Sequence, residues 1–179
     1  MKKILSLVLF ILLCACAAHA QRFKTTTGNV TFFSDAPMED IEANSAKVTS
    51  ILDLEKGDMA FLIPINSFQF EKKLMQEHFN ENYLESEKYP DATFRGKLIN
   101  YDPNAQGKQT VQAKGEMTIH GVTKKIDAEG TLEPSGDGLT LTSKFPIRVA
   151  DYKIKIPKIV FYNIAEVVDV TLSLTYQQQ

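Results

Sequence analysis

From residue 25 to residue 176 the apolar residues recur mostly at every second position. Successive side chains of a strand point to opposite faces, so a chain patterned this way is committed to sheets with one buried and one solvated side. The stretches 25–34, 48–54, 59–65, 93–101, 109–119, 124–133, 139–147 and 167–176 carry the strand signal. Turn chemistry separates several of them: Glu55-Lys56-Gly57-Asp58, Asp102-Pro103-Asn104, His120-Gly121 and Pro134-Ser135-Gly136-Asp137-Gly138. About eight strands at this spacing make an all-β domain, either a sandwich or a barrel.

One stretch departs from period two. In 71–84, Leu74, Met75, His78, Phe79 and Leu84 fall at mixed three-and-four spacing, which predicts a short helix with an apolar stripe. A lone helix in an antiparallel β protein plugs a barrel end or covers a sheet edge. Three consecutive strands show their faces most clearly. One face carries Phe94, Gly96 and Leu98, then Val111, Ala113, Gly115 and Met117, then Ile126, Ala128, Gly130 and Leu132. The other carries Arg95, Lys97, Gln112, Lys114, Glu116, Lys125, Asp127 and Glu129. The middle of each apolar face is small. Small inward residues leave room for an apolar guest, or they let strands coil and close. The pattern leaves both open.

The first twenty residues have a different character. Lys2 and Lys3 precede the apolar run 4–13, and Ala18-His19-Ala20 supplies small residues two apart. This is the pattern of a cleaved secretory signal, too short in its apolar part for a permanent anchor. The expected mature domain is 21–179, exported to the periplasm or beyond the cell. Both cysteines, Cys14 and Cys16, lie in the leader, so the mature domain would have no disulfide and no thiol chemistry. The alternative is a lipoprotein signal with Cys16 as the lipidated residue. A formal net charge of −2 argues against a broad nucleic-acid-binding surface. No other segment approaches membrane-spanning length.

Two blocks point to a known family. Tyr89-Pro90-Asp91-Ala92-Thr93-Phe94 and the run Gly115-Glu116-Met117-Thr118-Ile119-His120-Gly121-Val122-Thr123-Lys124 resemble the YceI-like family. Ser67-Phe68, the helical Leu74-Met75 with His78 and Phe79, and Tyr83-Leu84 before Lys88-Tyr89-Pro90 fit the same pattern. The resemblance spans essentially the whole mature chain. It implies an antiparallel eight-stranded, lipocalin-like barrel with the short helix inserted near 71–84. It further implies a lumen holding a long apolar molecule such as a polyisoprenoid, an isoprenoid quinone or a prenyl phosphate. Where the family often has a His-Ser pair in its first strand, this chain reads Thr25-Thr26-Thr27-Gly28.

The expected lumen contacts are Phe68, Leu74, Met75, Phe94, Met117 and Phe161, with His78 and His120 facing a polar head group at one mouth. The plain alternative for the histidines is that His120 fixes its turn and His78 bonds a carbonyl in the core. The segment 150–166 is long for an all-β domain. Its Ile159-Val160-Phe161-Tyr162 would form the apolar tip of a flap, with Lys153, Lys155 and Lys158 set for an anionic head group. An edge strand with solvated lysines reads the same pattern. Glu85 and Glu87 read as a solvated face. No metal-ligand spacing, nucleophile elbow or phosphate loop occurs. The turn at 102–107 begins like a calcium loop, but the position of its bidentate glutamate is Ala113. The expected function is non-enzymatic carriage or sequestration of an apolar lipid, with no cofactor beyond that lipid. The rival is a ligand-free interaction module of the cell envelope with a side-chain-filled barrel. Pairing into a homodimer is open on either reading.

Overall fold

The computed structural model describes residues 22–157 and 164–179. The expected leader with its two cysteines, and Lys158 and Phe161 of the expected flap, lie outside the described residues. The elements are β1 (Arg22–Ser34), β2 (Ile41–Ser45), β3 (Thr49–Asp53), β4 (Asp58–Pro64), β5 (Gln69–Phe70) and helix α1 (Lys73–His78), which runs on into a π-turn (Phe79–Tyr83). After it come β6 (Asp91–Ile99), β7 (Gln109–Ile119), β8 (Val122–Ser135), β9 (Gly138–Arg148) and β10 (Val167–Gln178). The ladder β1-β3-β4-β6-β7-β8-β9-β10 is antiparallel throughout, and β10 returns to β1, so eight strands close into a barrel. The expected all-β barrel with one short helix is the observed architecture.

Strand β1 serves two neighbours on one side. Its first residues pair with β3, as in Phe23↔Leu52, and its last five with β2, from Val30↔Ser45 to Ser34↔Ile41. β2 and β3 therefore behave as one interrupted strand, which β5 extends at Ala43↔Phe70 and Asn44↔Gln69. Neither β2 nor β5 was visible as an apolar alternation. The buried positions of β2 are Ala43 and Ser45, too small or polar to stand out, and β5 is two residues long.

The half of the barrel away from the helix is filled. Phe23, Leu52, Leu98, Val111, Leu132, Leu141, Leu174 and Tyr176 are all buried there. Tyr176 is fully enclosed, and its hydroxyl lies 2.7 Å from Ser50 Oγ, which in turn donates to the Ala60 carbonyl at 2.8 Å. Because Ser50 has one proton to give, Tyr176 is the donor to Ser50. Burial pushes the Tyr176 phenol far above its usual range, so it remains a neutral donor.

The small inner faces have a local explanation here. Gly96 and Gly115 are register partners across β6 and β7. A Cβ on Gly96 would stand 2.3 Å from the Lys114 carbonyl oxygen and 2.7 Å from Phe94 Cζ; one on Gly115 would meet the Arg95 carbonyl at 2.3 Å and Phe94 Cζ at 2.8 Å. The two glycines thus let the Phe94 ring lie across the sheet. Further along the same faces, Ala113, Ala128 and Gly130 border a void of only about 20 Å³. The small residues make room for protein side chains rather than for a large guest. Gly115→Ala is expected to lower stability by about 1–3 kcal/mol, because backbone as well as Phe94 must move; urea unfolding measures it.

Candidate functional site

The other half of the barrel, beneath the helix, encloses a cavity of about 460 Å³. Its walls are built by strand alternation. Val30 and Phe32 of β1, Phe61 and Ile63 of β4, Met117 and Ile119 of β7, Phe145 and Ile147 of β9, and Val168, Val170 and Leu172 of β10 face it. Register places Phe32 beside Val170, and Val170 beside Phe145, so adjacent strands offer one continuous apolar layer.

Helix α1 and its π-turn form the cover. Leu74, Met75, His78, Phe79, Tyr83 and Leu84 all line the cavity. The wide turn explains the last of these: Leu84 N–H donates to the Phe79 carbonyl five residues back, at 2.9 Å. In a continuing α-helix Leu84 would be rotated off the face that carries Phe79. No residue of the helix itself is fully buried, although its stripe is apolar. Its contacts to the barrel run largely through aromatic rings. Phe32, Phe68, Phe70 and Phe79 form a cluster with ring centroids 5.0–5.6 Å apart. Phe68 is held by the serine before it. Ser67 Oγ donates to the Pro64 carbonyl at 2.5 Å, so the Ser45 hydroxyl must be the donor in the 2.6 Å contact between the two serines.

The segment after β9 closes another side. Residues 149–152 make a 3₁₀ turn that ends at Lys153 in the left-handed conformation, φ 57°. Beyond it Ile154 and Ile156 face the cavity, whereas Lys153 and Lys155 are exposed. Ile164 lines it from the far end of the segment, where the Ala165 N–H donates to buried Ser34 Oγ at 2.8 Å. At 153–156 the expected alternation is present, but it turns these two lysines outward, away from the cavity.

Charge reaches the cavity at its rim. Glu39 and Lys72 both border it and are bonded to one another as an ion pair. The Glu39 carboxylate holds the Lys72 amine above the usual lysine range. His78 is exposed at the rim, its imidazole making no hydrogen bond or ion pair among the described residues, so the core carbonyl contact considered for it is not found. No group of three or more His, Cys, Asp or Glu side chains placed to hold a metal ion occurs among the described residues.

Of the residues expected to contact a guest, Phe68, Leu74, Met75, His78 and Met117 line the cavity. Leu74, 61% exposed, stands at its mouth, and Met117, 4% exposed, lies deep. Phe94 does not line it. Its ring turns away over the glycine pair and stacks on Phe61, centroids 5.2 Å apart. His120 does not line it either, because it is committed to a polar network. Its Nδ1 donates to the Tyr152 carbonyl at 3.1 Å, and its Nε2 meets Glu85 Oε2 at 2.7 Å. His120 and Gly121 both have positive φ, 51° and 70°, the geometry of a two-residue hairpin turn. Tyr89 packs edge-on against the imidazole at 4.6 Å. His120 thus ties the β7–β8 hairpin, the 3₁₀ turn and the end of the helical segment together. Glu85 belongs to that tie and is not merely part of a solvated face. The rim pair Glu39 and Lys72, and the wall residues Phe32, Phe70, Phe79 and Tyr83, were not singled out as contacts. Phe79 and Tyr83 carried a signal, through the helical stripe and the family pattern.

The hydrogen bond from His120 holds the Glu85 carboxyl below its ordinary value of 4.5. A carboxyl depressed by folding adds stability above its unfolded pKa and loses it as pH falls through the folded value. Wild type is therefore expected to exceed Glu85→Gln in urea midpoint just above pH 4.5, with the gap closing as the pH is lowered further.

The barrel has counterparts among solved structures. A polyisoprenoid-binding domain from Saccharophagus degradans superposes with a TM-score of 0.75 at 16% identity, covering 88% of this chain and 98% of that one. Burkholderia cenocepacia BcnA follows at 0.71 and 18% identity, covering 83% and 95%. The Campylobacter jejuni YCEI protein gives 0.63 and 17%, covering 76% and 85%. The curated proteins contain no sequence match to the chain. The family model of the YceI-like domain matches residues 15–176, nearly the whole chain. On that match and the barrel described above, this protein belongs to the YceI-like domain family.

Proposed function

We propose that the protein binds an elongated apolar lipid of isoprenoid type in the cavity beneath its helix, without catalysing a reaction on it. The observation that carries this reading is a cavity of about 460 Å³ walled by aliphatic and aromatic side chains, with its ion pair confined to the rim. Pockets of this size suit a small-molecule guest. The name of the Saccharophagus degradans neighbour, a polyisoprenoid-binding domain, agrees with it.

Binding would be driven by desolvation, with each methylene removed from water contributing roughly 0.8 kcal/mol. Met75 and Met117, unbranched and adaptable, suit a flexible chain, and Phe68, Leu74 and His78 complete the contacts nearest the helix. Among the described residues a neutral head group is favoured over a phosphate, because Lys72 is already matched by Glu39 and neither Lys153 nor Lys155 borders the cavity. The leader pattern supports export of the 21–179 domain, where such a carrier would meet membrane-derived lipid. The rival reading, a filled interaction module, finds support only in the packed half of the barrel.

Native mass spectrometry of mature protein taken from its own host's envelope is the direct test, followed by organic extraction. A stoichiometric apolar adduct is expected. A bare mass that stays unchanged after incubation with quinone and prenyl-phosphate mixtures would overturn lipid carriage. Met75→Asp puts a charge against the guest from a partly exposed helical position. It should weaken binding of an isoprenoid quinone by at least about tenfold while leaving the circular dichroism spectrum unchanged.

A further inference from the structure

Toward the packed half of the barrel the cavity meets a specific layer of side chains. Phe61, Phe94 and Met117 are successive register partners across β4, β6 and β7, so they form one inward layer across the barrel wall. Phe61 and Met117 border the cavity, and Phe94 lies behind them, 1% exposed. The Phe94 ring is stacked on Phe61 at an interplanar angle of 17° and sits on the Gly96–Gly115 pair. Past this layer there remains the void of about 20 Å³, which shares Phe61, Phe145 and Leu172 with the main cavity. At the far end of the barrel the Tyr101 hydroxyl donates to the Leu54 carbonyl at 2.5 Å.

We infer that Phe94, stacked on Phe61 and seated on Gly96 and Gly115, is a chain-length stop: a guest enters from the helix end and its tail ends against this layer. The inference rests on the lipid-binding reading and adds a limit to it. If a methylene takes up about the ~30 Å³ of a water molecule in the liquid, about 460 Å³ holds on the order of fifteen such groups, roughly three isoprene units. A longer chain leaves its excess outside the mouth, in water. The protein then selects a farnesyl-length tail, or takes a longer one only in part. Phe94 is the residue that sets the limit, although it is hidden from the cavity surface, because its ring both covers the glycine pair and backs Phe61.

The test is displacement of a bound fluorescent apolar dye from the mature protein by geraniol, farnesol, geranylgeraniol and solanesol. The step from geraniol to farnesol is expected to tighten binding by roughly tenfold or more, with no further gain beyond farnesol. Continued tightening through solanesol would overturn the stop while leaving lipid binding intact. Failure of every prenol, and of an isoprenoid quinone, to displace the dye would overturn the binding reading and the stop with it. In Phe94→Ala the cavity and the void should merge, moving the plateau to geranylgeraniol. A folded Phe94→Ala protein whose plateau stays at farnesol would overturn the role of Phe94. If that variant does not fold, the wild-type series still decides whether a stop exists.

Discussion

Everything in this molecule depends on the pairing of β1 with β10. The two ends of the described chain lie side by side from Phe23↔Gln178 to Phe33↔Asp169, which turns a twisted sheet into a closed barrel. Closure removes the exposed edges that an open sheet must protect. It also gives each strand an inside that sees only other strands. The alternation of the sequence then has one consistent solution, with every apolar face directed into a common interior.

That interior has two regimes, and a single layer divides them. On one side, inward side chains from facing strands meet and fill the space, with Tyr176 and Ser50 satisfying each other's polar atoms in the middle. On the other side, Ala92 and a ring of aliphatic residues leave the centre open, and the space is covered by a helix instead of being packed by side chains. The cover is a separate element, so its apolar stripe can face a cavity without collapsing onto the opposite wall. The aromatic cluster of Phe32, Phe68, Phe70 and Phe79 supports it from one side. The His120–Glu85 contact secures the chain just beyond it.

Much of the barrel was legible along the chain. The strands with alternating large residues, such as Gln109–Ile119 and Gly138–Arg148, lie where the pattern predicts them, and the helix occupies the core of the expected 71–84 segment. β2 and β5 were not legible because their inward positions are small, polar or too few to set a period. Of the expected contacts, Phe68, Leu74, Met75, His78 and Met117 reach the cavity, since strand parity or helical spacing already aims them inward. Parity could not say how far along the barrel a residue lies, nor which way a ring turns once inside. That is why Phe94, on the inward face, belongs to the floor. His120, at a hairpin whose direction local pattern leaves undefined, belongs to a structural network.

Local pattern along the chain is enough to establish that the domain is antiparallel β, which faces are buried, where the lone helix falls and which family the motifs resemble. These are local properties, written in periods of two and of three to four residues. Long-range packing settles the rest: the small inner residues seat Phe94 and do not widen the lumen, Lys153 and Lys155 turn away from the cavity, and Glu39 neutralises Lys72 at its rim. Each of those outcomes depends on groups far apart in the chain arriving within contact distance, and volume, like charge pairing, is a property of the groups that meet.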